Sequence, residues 1–143
     1  MGARHSGREA ALQMLFQMEA SGAPPDECID LFWRSFGTEV DPESRTYANE
    51  LVKGAWDVRD QLDAHITSTS THWRLERMAR VDRNVLRLGA WELLHRPDIP
   101  RAVVLDEAVE LAKTFGTSDS SAFVNGVLNA LTDKLGRHDP QAS

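Results

Sequence analysis

Between Asp98 and Leu131 the chain carries two amphipathic stripes separated by a short polar run, and no other stretch constrains its fold as strongly. Val104, Leu105, Ala108, Leu111, Ala112 and Phe115 recur at steps of three and four, which puts them on one face of a helix. Pro100 suits the opening turn of that helix, Lys113 lies toward its negative end, and Gly116 reads as its stop. Ser118, Asp119 or Ser120 can cap a following helix, in which Phe123, Val124, Val127, Leu128 and Leu131 form a second stripe. Asn125 and Gly126 break the pattern. A glycine inside a helix costs about 1 kcal/mol against alanine, so Gly126 is expected to admit another helix at close range. Asn125 is expected to face inward, its amide bonded to backbone of another segment such as the Asp98–Arg101 turn.

The same periodicity runs through the rest of the chain. Residues 8–20 place Ala11, Leu12, Leu15 and Met18 on one face, and Gly22-Ala23-Pro24-Pro25 ends that helix. Asp26 can cap a second helix with Ile29, Phe32, Trp33 and Phe36 inward and Gly37 as its stop. Asp41-Pro42 reads as a cap followed by proline at the first helical position. A long third helix follows, with Tyr47, Leu51, Ala55, Val58, Leu62 and Ile66 as its stripe. The hydroxyl-rich run Thr67–Thr71 reads as a hinge. A short helix around His72–Ala79 comes next, then one capped by Asp82 and running through Leu94 ahead of Pro97. No segment alternates with period two. The expectation is an all-α protein of about seven helices: a three-helix subdomain over 1–66, the hinge at 67–71, and a second antiparallel helical subdomain over 72–135 sharing a core with the first.

No apolar run approaches the roughly 18 residues that a membrane-spanning helix needs. The first residues lack the hydrophobic core of a signal peptide. The single cysteine, Cys28, excludes an internal disulfide, so a reducing cytoplasm is expected. The net charge of −6 argues against a general nucleic-acid binder, but the charge is uneven. Residues 23–66 carry four basic and ten acidic side chains, whereas 67–97 carry six basic and three acidic.

Catalytic motifs are missing: there is no GxGxxG, P-loop, HExxH or GxSxG, and the five histidines are scattered. Neither a metal site, a cofactor nor an enzyme is expected. Binding is the better prospect. Arg4 and Arg8 lie at the start of the first helix, where backbone N–H groups and the dipole favour phosphate; a solvated tail is the other reading. The series Arg74, Arg77, Arg80, Arg83, Arg87 either pairs with Glu76, Asp82 and other neighbours or faces a nucleic acid or acidic partner. Phe115, at a helix end, either packs in the core or offers a ring for a base to stack on, with Lys113 beside it for phosphate. Trp33, Trp56 and Trp91 read as core or subunit-contact residues, and Trp73 as exposed.

Taken together, REAALQMLFQ (8–17), LVKGAWD (51–57), VDRNVLRLGAWELL (81–94), DEAVELAKTFG (106–116) and FVNGVLNAL (123–131) resemble the bacterial transcription antitermination factor NusB family over nearly the whole chain. The resemblance implies an RNA-binding factor without catalytic activity. With NusE, a ribosomal small-subunit protein, it would bind single-stranded boxA RNA of nascent ribosomal-RNA transcripts and help RNA polymerase, within an antitermination complex, read through terminators. It implies phosphate contacts from Arg4, Arg8 and Lys113. Base contacts would come from Phe115 and the loop carrying Ser118, Asp119 and Ser120, and NusE contacts from Glu76 and Asp82. The N-terminal segment of the family is arginine-rich, and here only Arg4 and Arg8 remain, so weak RNA binding by this chain alone is expected. Two other readings stay open: an accessory helical module of the kind that precedes some RNA cytosine methyltransferase domains, and a homo-oligomeric scaffold, a homodimer at its simplest, with no RNA role.

Overall fold

A computed structural model describes residues 2–36, 40–69 and 75–137. Among these residues the chain is all-α, with seven α-helices, one 3-10 turn and no strand. It divides into two compact units, Met1–Asp57 and Val58–Ser143.

The first unit holds α1 (Ala3–Ser21), α2 (Pro25–Phe36) and α3 (Pro42–Asp57). α1 packs mainly along α3, and α2 touches both. Its core is the set the periodicity selects: Leu12, Leu15 and Met18 of α1, Ile29, Phe32 and Trp33 of α2, and Tyr47, Leu51 and Ala55 of α3. Fully burying one such aliphatic side chain is worth roughly 1.5–3 kcal/mol, so the three stripes together dominate the stability of this unit. Phe32 and Trp33 meet edge to face with ring centroids 5.0 Å apart. The Trp33 indole N–H donates to Asn49 Oδ1 at 2.7 Å, which satisfies the one polar atom of a buried ring.

Asp41 caps α3 as its sequence suggests. Its carboxylate accepts the Ser44 N–H at 2.9 Å and the Ser44 hydroxyl at 3.0 Å. Those bonds, the backbone one first, hold the Asp41 pKa below its ordinary value. Asp26 does not cap α2. Pro25 takes the first helical position, where its missing N–H costs nothing, and Asp26 falls inside the first turn. Gly37 lies outside the described residues.

The second unit holds α4 (Arg59–Thr69), the 3-10 turn Leu75–Arg77, α5 (Arg80–His95), α6 (Arg101–Phe115) and α7 (Ser120–Leu135). α5, α6 and α7 pack on one another, and α4 lies against α5 and α7. Arg87 of α5 grips Asp63 of α4 with both arms of its guanidinium, at 2.7 and 2.8 Å, and also reaches Asn84 Oδ1 at 3.1 Å. For this member of the arginine series the pairing alternative is the right one. Trp73 and Arg74 lie outside the described residues.

Four local expectations give way. The long third helix is two helices, interrupted at Val58, whose carbonyl accepts the Leu62 N–H at 3.0 Å and opens α4. Leu62 and Ile66 are buried as expected, because a brief interruption leaves the apolar period readable across it. The run expected as a hinge is helical through Thr69, and its remainder lies outside the described residues. Asp82 does not cap α5: the helix begins at Arg80 and Asp82 sits in its first turn. Asn125 and Gly126 are both exposed, and a Cβ added at Gly126 would meet nothing within 4 Å. Successive helical residues turn by 100°, so a face centred on Val124, Val127, Leu128 and Leu131 leaves those two positions outside. The close approach is made at Gly89 instead, where an added Cβ would lie 2.8 Å from the Leu128 side chain.

The task assigned to Asn125 falls to Arg137. Its guanidinium donates to the carbonyls of Glu92 at 3.3 Å, Leu93 at 3.1 Å and Arg96 at 3.1 Å, and also to that of Ile99. Those groups end α5 and begin the turn toward α6. The Glu92 and Arg96 carbonyls also accept the Arg96 and Ile99 N–H groups, and the cation adds to those bonds while complementing the negative end of the helix.

Candidate nucleic-acid interface

The N-terminal end of α1 offers one candidate surface. Arg4 lies in the first turn and is exposed, as expected of a residue that could meet phosphate. Arg8, one turn on, is only 3% exposed, and this departs from the expected surface arginine. Both guanidinium groups stand over the same ring: the central carbons of Arg4 and Arg8 lie 5.5 and 5.6 Å from the centroid of Tyr47 on α3. Burial of Arg8 follows from how tightly α1 meets α3. A Cβ at Gly7 would lie 3.0 Å from the Ser44 carbonyl oxygen, 3.1 Å from Tyr47 Cδ2 and 3.3 Å from the Ala48 nitrogen. Glycine lets the two backbones approach, and the side chain that follows it is enclosed.

The loop between α6 and α7 offers another. Phe115 closes α6 half-buried, so its ring belongs in part to the stripe and in part to the surface. Lys113 is exposed, with its ammonium 3.8 Å from Glu110, a separation at which a surface pair contributes little. Ser118 and Asp119 are exposed. Ser120 is buried at 1% exposure: its Oγ accepts the Thr117 N–H at 3.0 Å and lies 3.3 Å from Thr117 Oγ1. It therefore braces the loop from inside rather than presenting a hydroxyl outward, a correction to its expected place on the surface. Gly116 has φ −103° and ψ −162°, a conformation open to any residue. Space is what demands glycine there, since a Cβ would lie 2.5 Å from Ser120 Oγ and 2.8 Å from the Ala112 carbonyl oxygen.

A cleft of about 420 Å³ in the second unit is lined by Arg77, Met78, Ala79, Asp82, Asp119 and Phe123. It brings together Asp82, expected on a protein-docking surface, and Asp119, expected on the RNA side. The Asp82 Oδ1 is buried and makes no hydrogen bond among the described residues. Glu76 is exposed on the 3-10 turn beside Arg77. Tyr47, Gly7 and Phe123 complete these surfaces, yet periodicity marks Tyr47 and Phe123 only as members of apolar stripes. Nothing local marks Gly7. Among the described residues, no group of three histidine, cysteine, aspartate or glutamate side chains could hold a metal ion, and no helix is long and apolar enough to cross a membrane.

Helix ends, one loop and one cleft bring exposed charge beside half-exposed rings on an all-helical frame. Comparison with known proteins gives the particular kind. The sequence profile of the NusB family matches residues 5–133. The transcription antitermination protein NusB of Sorangium cellulosum is 60% identical over 139 residues, which cover 97% of this chain and 98% of that one. Among solved structures, NusB of T. maritima is 31% identical with a TM-score of 0.84, over 99% of this chain and 96% of that one. A crystal structure of antitermination factors NusB and NusE in complex with double-stranded RNA contains a chain 28% identical with a TM-score of 0.83, over 94% of this chain and 98% of that one. The chain belongs to the NusB family, a family of non-enzymatic antitermination factors.

Proposed function

We propose that this protein acts in the cytoplasm with NusE, binding single-stranded boxA RNA of nascent ribosomal-RNA transcripts and promoting read-through by RNA polymerase. The observation that supports an RNA-binding partnership with NusE is its likeness, over 94% of its length, to a chain in a crystal structure of NusB and NusE with double-stranded RNA; the single-stranded boxA target follows from the sequence resemblance. Arg4 and Lys113 supply phosphate contacts, both being exposed cations at helix ends. Phe115, half-exposed beside Ser118 and Asp119, supplies a stacking surface, since single strands are read through rings and splayed bases. Arg8 and Ser120 act from beneath, the first against Tyr47 and the second on the loop backbone. Glu76, exposed on the 3-10 turn, and Asp82, in the cleft beside Arg77, supply carboxylates to a basic, RNA-binding partner.

Asp82→Lys tests the partner contact. A folded variant should lose NusE in a pull-down, whereas capture at full strength would move the docking surface elsewhere. Phe115→Ala tests the base contact. Preference for boxA over a scrambled strand should fall, while the salt dependence of binding stays as it was.

A further inference from the structure

We infer that Tyr47 is a positioning residue for RNA binding: its ring holds the Arg4 guanidinium in the orientation that meets phosphate. The inference rests on the reading of Arg4 as a phosphate contact and goes further by naming what aims it. An arginine in the first turn of a helix has a long, rotamer-rich side chain, and ordering it on binding lowers affinity. Tyr47 removes part of that cost beforehand. Its ring is itself fixed, being 7% exposed within the core of the first unit, with Cδ2 against the Gly7 position. The Arg4 guanidinium carbon stands 5.5 Å from the ring centroid while the side chain remains exposed. A guanidinium held over an aromatic ring still has N–H donors to offer an anion, because the ring engages the cation's charge and does not use up those donors. Arg8, over the same ring at 5.6 Å, stays inside the protein. Of the two cations, Arg4 is therefore the one the ring presents to solvent.

The test separates the ring's charge distribution from its bulk. Tyr47→Phe keeps the π face and should bind single-stranded boxA RNA within about twofold of the parent. Pentafluorophenylalanine at position 47 keeps the shape and reverses the sign of the face, so it should release Arg4 without opening the core. Affinity should then fall roughly 2–5-fold, the range of a cation–π contact at an exposed site. The slope of log K against log salt should become shallower by about 0.7, one phosphate contact on a single strand. Arg4→Ala should produce the same change and add nothing in the fluorinated background. The melting temperature reports separately on packing. A role confined to stability would lower it and leave the salt slope untouched, and that result overturns the inference. So would unchanged affinity and slope in the fluorinated protein while Arg4→Ala weakens binding. An Arg4→Ala variant that binds like the parent defeats instead the underlying reading of Arg4 as an RNA contact.

Discussion

The two candidate RNA surfaces are built in opposite ways, although each depends on a glycine. At the start of α1 the glycine is Gly7, and what it admits is the backbone of another helix: the Ser44 carbonyl and the Ala48 nitrogen. Those partners lie far away in sequence, and the surface they create is cationic, with Arg4 displayed over Tyr47. At the end of α6 the glycine is Gly116, and it admits a side chain of its own loop, the Ser120 hydroxyl that accepts the Thr117 N–H. The surface there sets a half-exposed ring among exposed Lys113, Ser118 and Asp119, with charges of both signs. The contrast suggests a division of labour: long-range packing fixes a charge for phosphate, and local hydrogen bonding fixes a loop for bases.

Substitutions can break this comparison at either end. The largest effect is expected for Gly116→Ala, since the new Cβ would press on Ser120 and on the Ala112 carbonyl, a backbone atom with little room to move. Overpacking of that kind costs roughly 2 kcal/mol, and denaturant melts should show it along with loss of boxA preference. Gly7→Ala meets its neighbours at 3.0 Å or more, so a smaller loss of about 1 kcal/mol is expected, with the salt dependence of RNA binding altered and loop-mediated preference retained. If Gly7→Ala disturbed base preference as strongly as Gly116→Ala, the division of labour would fail.

Acid should weaken the first unit at the α3 cap. The Asp41 pKa is depressed in the folded state, so its stabilising effect is present above the unfolded value of 3.8 and fades as pH falls through the lower folded value. Asp41→Asn should flatten the dependence of melting temperature on pH below about pH 4 and change little near neutrality. Equal acid sensitivity in parent and variant would remove Asp41 from the account. Arg4→Ala should have the smallest effect of all on stability, within about 0.5 kcal/mol, because the side chain is exposed. Its consequence should appear only in RNA binding.

The comparison also explains what the sequence could reveal. The helices, the apolar stripes and the Asp41 cap were legible because each is a local pattern: a period, or a cap two or three residues from what it caps. The α6–α7 loop was legible as a polar run between two stripes, although Asp119 at the α7 N-cap makes no side-chain cap bond and Ser120 bonds back to Thr117 instead. Tyr47 beneath Arg4 was not, because the pairing joins α1 to α3 and Tyr47 reads as one more member of a stripe. Val58 carries no glycine or proline signal, so the break between α3 and α4 was invisible. Asn125 misled for the opposite reason. Its oddity invited a buried role, whereas in the Asp98–Arg101 turn it was expected to reach, the Ile99 carbonyl accepts from Arg137, a cation near the far end of the chain. Asn125→Leu should accordingly shift stability by less than about 0.5 kcal/mol.

Whether this chain reads boxA RNA together with NusE is tested most directly by fluorescence anisotropy across a salt series. Labelled boxA and scrambled single strands would be titrated with this protein alone and with NusE added. Alone, contacts from Arg4 and Lys113 predict weak binding with a slope of log K against log salt near −1.4, at about −0.7 per phosphate. With NusE the binding should tighten, the slope should steepen as the partner adds its own basic surface, and boxA should be preferred over the scrambled strand. A heterodimer that binds both strands equally would contradict the account and leave this chain a helical scaffold without a part in reading RNA.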